Sequence, residues 1–149
     1  MLFPQANPCR QISDLSGFWD FRIDPEKTGT AQDWPHGFPG GQPIAVPASW
    51  NDQINTYRDY LSDAWYQTTF TVPWGWDNAR IMLRFGSVNY LAEVWVNGTH
   101  LGCHEGGHLP FEYDVTDYVH KHDAGDNLLV VRVNNELLQD FIASGDSVV

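Results

Sequence analysis

An all-β sandwich of two antiparallel sheets, with little helix, is the fold this sequence predicts. Three observations carry that expectation. Apolar residues recur with period two in six separate stretches, and the breaks between them hold turn residues. No stretch keeps the i, i+3, i+4, i+7 spacing of an amphipathic helix. Period-two alternation puts every second side chain on one sheet face, so each stretch reads as a strand with one side on a core.

The elements follow in chain order. In 18–23, Trp19, Phe21 and Ile23 share a face, with Asp20 and Arg22 between them. In 65–72 the apolar face is Tyr66, Phe70 and Val72, against Gln67, Thr69 and Thr71. The short loop Trp74-Gly75-Trp76-Asp77-Asn78 leads to 80–85, where Ile81, Leu83 and Phe85 oppose Arg80 and Arg84. Ala92, Val94 and Val96 form the next face, and Asn97-Gly98 supplies the positive-φ pair of a tight hairpin turn. Phe111, Tyr113 and Val115 then alternate with Glu112 and Asp114, and Leu129, Val131 and Val133 close the series. Residues 35–47, rich in Gly and Pro, and residues 51–63 read as longer surface connections. A single helical turn fits 116–119. No internal repeat or linker divides the chain, so 1–149 reads as one domain.

Composition narrows the function classes. At 149 residues the chain is far too short for a (β/α)₈ barrel, which needs roughly 250. No run approaches the ~18 apolar residues of a membrane-spanning helix, so no membrane is expected. Eight Lys+Arg against nineteen Asp+Glu give a net charge of -11, a field that repels a phosphate backbone and argues against nucleic acid. Cys9 and Cys103 are too few for a disulfide scaffold and read as free, small, buried residues. The first residues lack a basic segment followed by an apolar one, so the expected compartment is the cytoplasm. No G-x-S-x-G, phosphate loop or dinucleotide fingerprint is present, and no cofactor is expected.

Several residues could carry chemistry. His104-Glu105-Gly106-Gly107-His108 is a literal H-E-x-x-H, the zinc spacing that works when a helix brings both His to one side. Two interior glycines and Leu109-Pro110 oppose a helix here, so a glycine-rich turn is expected and no metal site is assigned; zinc at His104 and His108 stands as the minor alternative. Glu112 and Asp114 share a strand face about 6.8 Å apart, near an inverting glycosidase pair, yet their alternation with apolar neighbours is that of a solvated sheet face. His120-Lys121-His122 falls in a polar turn, and the sequon Asn97-Gly98-Thr99 coincides with the hairpin. Trp34, Trp74 and Trp76 lie in loops, where an indole can stack on a sugar ring; Trp74 and Trp76 are the substrate-binding candidates, while Trp19 belongs to a core face. Residue by residue, no catalytic set emerges.

Taken in order, longer segments are recognisable. They are Met1-Leu-Phe-Pro, Leu15-Ser-Gly-Phe-Trp-Asp-Phe, Val46-Pro-Ala-Ser-Trp-Asn-Asp-Gln53, Trp65-Tyr-Gln, Val94-Trp-Val-Asn-Gly98, Glu105-Gly-Gly-His-Leu-Pro-Phe111, Asp114-Val-Thr116 and Val133-Asn-Asn-Glu-Leu137. Together they resemble the N-terminal sugar-binding domain of glycoside hydrolase family 2. The Pro-x-Ser-x-Asn-Asp-Gln and Val-Asn-Asn-Glu-Leu segments resemble its β-glucuronidase branch rather than its β-galactosidase branch. The resemblance implies a galactose-binding-domain-like jelly roll. In the family an immunoglobulin-like domain and a barrel follow, and two barrel glutamates perform retaining hydrolysis of a β-glucuronide.

No residue here matches those glutamates, so the resemblance implies a chain inactive by itself, with any glucuronide met through the barrel and with subunits associating in the full enzyme. The alternative is a free-standing carbohydrate-binding module working through its loop Trp residues. The family's jelly roll places an acidic residue towards the sugar in its last part, a role assigned to neither Asp140 nor Asp146. The resemblance further implies that 1–149 stops short of the last strand, leaving an unpaired sheet edge prone to self-association.

Overall fold

The computed structural model describes residues 4–136. Within them run β1 (Gly17–Asp24), β2 (Gln42–Val46), β3 (Asp63–Phe70), β4 (Met82–Phe85), β5 (Leu91–Val96), β6 (Thr99–Glu105), β7 (Phe111–Asp114) and β8 (Asn127–Asn134). The helical elements bounded within the described residues are α1 (Trp50–Gln53) and 3₁₀ turns at Trp34–His36, Asn55–Tyr57 and His122–Ala124. One sheet has the order β2-β1-β3-β8-β5-β6, the other is β4-β7, and every pairing is antiparallel. The expected sandwich is therefore the fold, a jelly roll in which late β8 lies between early β3 and β5.

Alternation explains the main core. Trp19 and Phe21 of β1, Ala64 of β3, Ala92, Val94 and Val96 of β5, and Leu129, Val131 and Val133 of β8 point to one face. Ile81, Leu83 and Val115, in and beside β4 and β7, close over them. The predicted hairpin turn forms at Asn97 and Gly98, with φ of 50° and 80°. The positive φ of Gly98 is what calls for glycine here, and the exposed His36 ring lies against it. The turn expected at 116–119 is present, with the Val119 amide donating to the Val115 carbonyl.

The opposite face of the large sheet is covered as well, which period-two reading does not foresee. Trp65, Trp95 and Val130 project there and are buried by Trp34 and Phe38 from the β1–β2 connection. Trp65 stacks on Trp95 with centroids 5.3 Å apart and meets Trp34 edge-on at 5.7 Å. Asp24, buried at the end of β1, accepts from the Thr28 and Gly29 amides and from Trp65 Nε1, at 2.9, 2.8 and 3.0 Å. It thereby ties the connection down onto the tryptophans. Gly29 has no room for a side chain, since a β-carbon would lie 2.7 Å from both Trp34 and Trp65.

Three expectations are corrected here. Part of 35–47 is strand β2, hidden from pattern reading by Pro43, which is tolerated because β2 is a sheet edge. Part of 51–63 is helical, and its Gln53 covers that edge. Gln53 Oε1 accepts from the Ala45 amide at 2.8 Å and Nε2 donates to the Ala45 carbonyl at 3.0 Å. Cys9 and Cys103 are free as expected but exposed rather than buried. Partial desolvation and the nearby Glu93 carboxylate still push the Cys103 thiol up, so it stays protonated. The tail carrying Asp140 and Asp146, and the expected unpaired edge, lie outside the described residues.

Candidate functional site

The H-E-x-x-H segment straddles the end of a strand. His104 and Glu105 close β6, and 106–110 form the expected glycine-rich turn into β7. Successive strand residues point to opposite faces, so Glu105 cannot share a side with His104 as a helix would allow. The His104 ring stacks on Phe111 at 4.1 Å, and Phe111 on Phe85 at 4.9 Å. Its Nδ1 is buried with no hydrogen-bond partner among the described residues, so the imidazole acts as a flat plate closing the gap between the sheets. No group of three or more potential metal ligands occurs among the described residues.

Glu112 and Asp114 do share the outer face of β7, Glu112 beside an arginine of β4 and Asp114 beside one just before that strand. Arg84 stands 3.5 Å from Glu112, and Arg80 Nε donates to Asp114 at 2.8 Å. The Thr116 hydroxyl and amide, with Arg80 beside them, hold the Asp114 carboxyl down to about 2. A carboxyl held ionised in this way is the opposite of a general acid, which needs a raised value. NMR titration of Asp114 should find a midpoint near 2, moving up towards 3.8 in Thr116→Val. Because the folded value lies below the unfolded one, the stability it contributes is present above the ordinary value and lost as pH falls through about 2.

The three loop tryptophans separate by environment. Trp34 is buried in the second cluster, because the outer sheet face needs cover, and it is unavailable for a sugar. Trp76 is half-buried against the main core and donates its indole N–H to Gln11 Oε1. Trp74 is 73% exposed and meets the His122 ring edge-on at 4.5 Å. The structure thus does not bring Trp74 and Trp76 into one equivalent pair of platforms.

A concave surface lies elsewhere, at a residue the alternation argument passes over. Phe18 precedes the inward Trp19, so it points outward and is 79% exposed. The β1–β3 ladder stops at Asp20↔Gln67, while β1 runs back to Gly17 and β3 on to Phe70. The two strands part there and leave two adjoining grooves, of about 470 and 310 Å³, that share Phe18, Thr68 and Thr69. Gln67 stiffens the wall by exchanging hydrogen bonds with the Phe38 backbone, both at 3.0 Å. The signal for this site was Phe18 itself, a large apolar residue out of phase with its strand.

The polar residues that carry the family resemblance bond within the domain. Asn51 donates to the carbonyls of Tyr57, Arg58 and Tyr60, and Asn135 accepts from the Ser62 amide. Asn134 donates to Asp63, and Glu136 pairs with Lys27 at 2.8 Å. Asn51 and Asn135 brace the β2–β3 connection, and Asn134 and Glu136 tie the end of β8 to β3 and to the β1–β2 connection. Comparison with known proteins identifies the family. The profile of the glycosyl hydrolases family 2 sugar binding domain matches residues 12–147. The chain belongs to this family.

This sugar-binding domain is 43% identical over 140 residues to a β-glucuronidase of Paenibacillus borealis, covering 92% of the chain and 23% of that protein. It is 36% identical over 157 residues to the β-glucuronidase of Canis lupus familiaris, covering 97% and 24%. Among solved structures it is similar to a Ruminococcus gnavus β-glucuronidase in complex with D-glucuronic acid. There the TM-score is 0.84 at 38% identity, over 90% of this chain and 23% of that one. The chain thus spans about a quarter of the length of these relatives.

Proposed function

We propose that the chain serves as the non-catalytic N-terminal domain of a retaining β-glucuronidase-type glycosidase, buttressing the catalytic barrel and its active-site rim. The observation that carries this reading is the disparity in coverage: 97% of the chain aligns with only 24% of a β-glucuronidase. Retaining hydrolysis needs two carboxyls about 5–5.5 Å apart around the glycosidic bond. The carboxylates of the candidate pair, Glu112 and Asp114, are instead each beside an arginine. The β-glucuronide is met by the rest of the enzyme, which works as a homo-oligomer. A cytoplasmic setting is part of the same proposal.

Assay of the purified 149-residue chain with p-nitrophenyl β-glucuronide tests the reading. No turnover is expected from the chain, and turnover is expected from a longer protein that contains it. Hydrolysis by the chain alone overturns the proposal. A carbohydrate-binding role through Trp74 is the second reading, favoured by the exposure of that indole. Saturable sugar binding lost in Trp74→Ala would establish it.

A further inference from the structure

We infer that the trough between β1 and β3 is a binding site for a neutral oligosaccharide, with one pyranose ring on the face of Phe18 and further rings in the grooves on either side. This goes beyond the buttressing role and does not depend on it.

Four features converge. The first is the aromatic face: Phe18 is 79% exposed on a strand whose next residue is buried, so strand backbone fixes its position. Pyranose rings present a patch of C–H groups that packs on such a face, which gives up its water at little cost. The second is shape. Two open grooves of about 470 and 310 Å³ meet at Phe18, Thr68 and Thr69, so the surface on either side of the ring is concave and solvent-accessible, with room for more than one sugar unit.

The third is the polar lining. Ser13, Ser16, Thr68, Thr69 and Thr71 bring hydroxyls that both donate and accept, as sugar hydroxyls do. Asp20 takes one long bond, 3.4 Å from Gln67, on Oδ2; its other oxygen has no hydrogen-bond partner among the described residues and can accept from a vicinal diol. The fourth is charge. Asp14 and Asp20 line the trough, neither groove includes Lys or Arg, and the Ser16 hydroxyl and amide hold the Asp14 carboxyl below its usual value. An anionic sugar is therefore repelled where a neutral one is not. An extended peptide is a poorer fit, since the strands part only over 17–19 and 68–70, too short a run for an added strand.

Calorimetric titration of the full 149-residue chain with xylotetraose, cellotetraose and tetragalacturonate tests the inference. At least one neutral tetraose should bind saturably at millimolar concentration, and tetragalacturonate should not. Phe18→Ala should weaken the neutral sugar about tenfold or more, Phe18→Tyr should retain it, and Trp74→Ala should leave it unchanged. Near-ultraviolet circular dichroism shows whether each variant keeps its packing. Chemical-shift changes at the Phe18 ring and Thr69 amide of the unaltered chain give a readout free of any variant. The site is refuted by no binding of either neutral sugar, equal binding of tetragalacturonate, or shift changes confined to Trp74. Loss of binding in Trp74→Ala but not in Phe18→Ala refutes it too and leaves the buttressing role untouched.

Discussion

Replacing Trp65 with alanine is expected to lower the stability of the chain by about 3–5 kcal/mol, the range for emptying a large buried aromatic site. Trp65 is fully buried and sits at the centre of the second cluster, stacked on Trp95 and edge-on to Trp34. Removing it also takes one of three donors from buried Asp24, whose remaining partners belong to the connection that the cluster holds down. Two losses therefore coincide at one residue. Trp65→Phe separates them, since it keeps a ring but not the N–H, and should cost about 1–3 kcal/mol. Urea unfolding followed by tryptophan fluorescence measures both, provided the transition is two-state. A loss below about 1 kcal/mol for the alanine variant would show that the outer cluster is not integral to the fold.

The second large effect is expected at Asn127. This side chain is fully buried at the start of β8 and is a four-way junction. Its Oδ1 accepts from the His120 amide at 2.6 Å and from Asn97 Nδ2 at 2.9 Å. Its Nδ2 donates to the carbonyls of His120 and Phe70 at 3.1 and 3.4 Å. It thus joins the β7–β8 connection, the Asn97-Gly98 hairpin and the end of β3. Asn127→Ala strands these groups in a dry environment and should cost about 2–4 kcal/mol.

Asn127→Asp is a sharper test. Burial raises the folded pKa of the introduced carboxyl above its unfolded value. The penalty is therefore largest at neutral pH and shrinks as pH falls through the folded value, where the protonated group regains a donor. Thermal melts at pH 7 and pH 4 should show the variant closer to the parent at the lower pH. Equal penalties at both would mean that the site is wetter than its burial indicates.

Most of the strand set was legible because half-burial imposes alternation on the sequence. Trp19 and Phe21, Ile81 and Leu83, Val94 and Val96, and Leu129, Val131 and Val133 are buried as their spacing requires. The Asn97-Gly98 turn was legible for a different reason, since few residue pairs adopt two successive positive φ values. β2 was not legible, because an edge strand can hold Pro43 and needs only one buried side chain, Ile44. α1 spans four residues, too few for a helical period to show. Its N-cap is Ser49, whose side chain accepts from the Asn51 amide.

The candidate residues divide along the same line. That His104 and His108 would fall at a turn could be read from Gly106-Gly107 and Pro110. Which loop tryptophan faces water could not. Trp34 and Trp74 both sit among Gly, Pro and Asp, yet one is buried and the other exposed. The difference is made by Trp65 and Trp95, which are distant in sequence and meet only when β8 inserts between β3 and β5.

By itself, then, the sequence determined the all-β class, the inward face of most strands and the family of the domain. Each of these is written in local spacing or in the order of short segments. The tertiary structure alone decided the strand order, the second tryptophan cluster and the parting of β1 from β3 that opens the trough at Phe18. Those depend on pairings between residues some forty to seventy positions apart, as in Phe21 with Tyr66 and Tyr66 with Val131. No local pattern encodes such a pairing, because its energy comes from burying surfaces that the chain brings together only on folding.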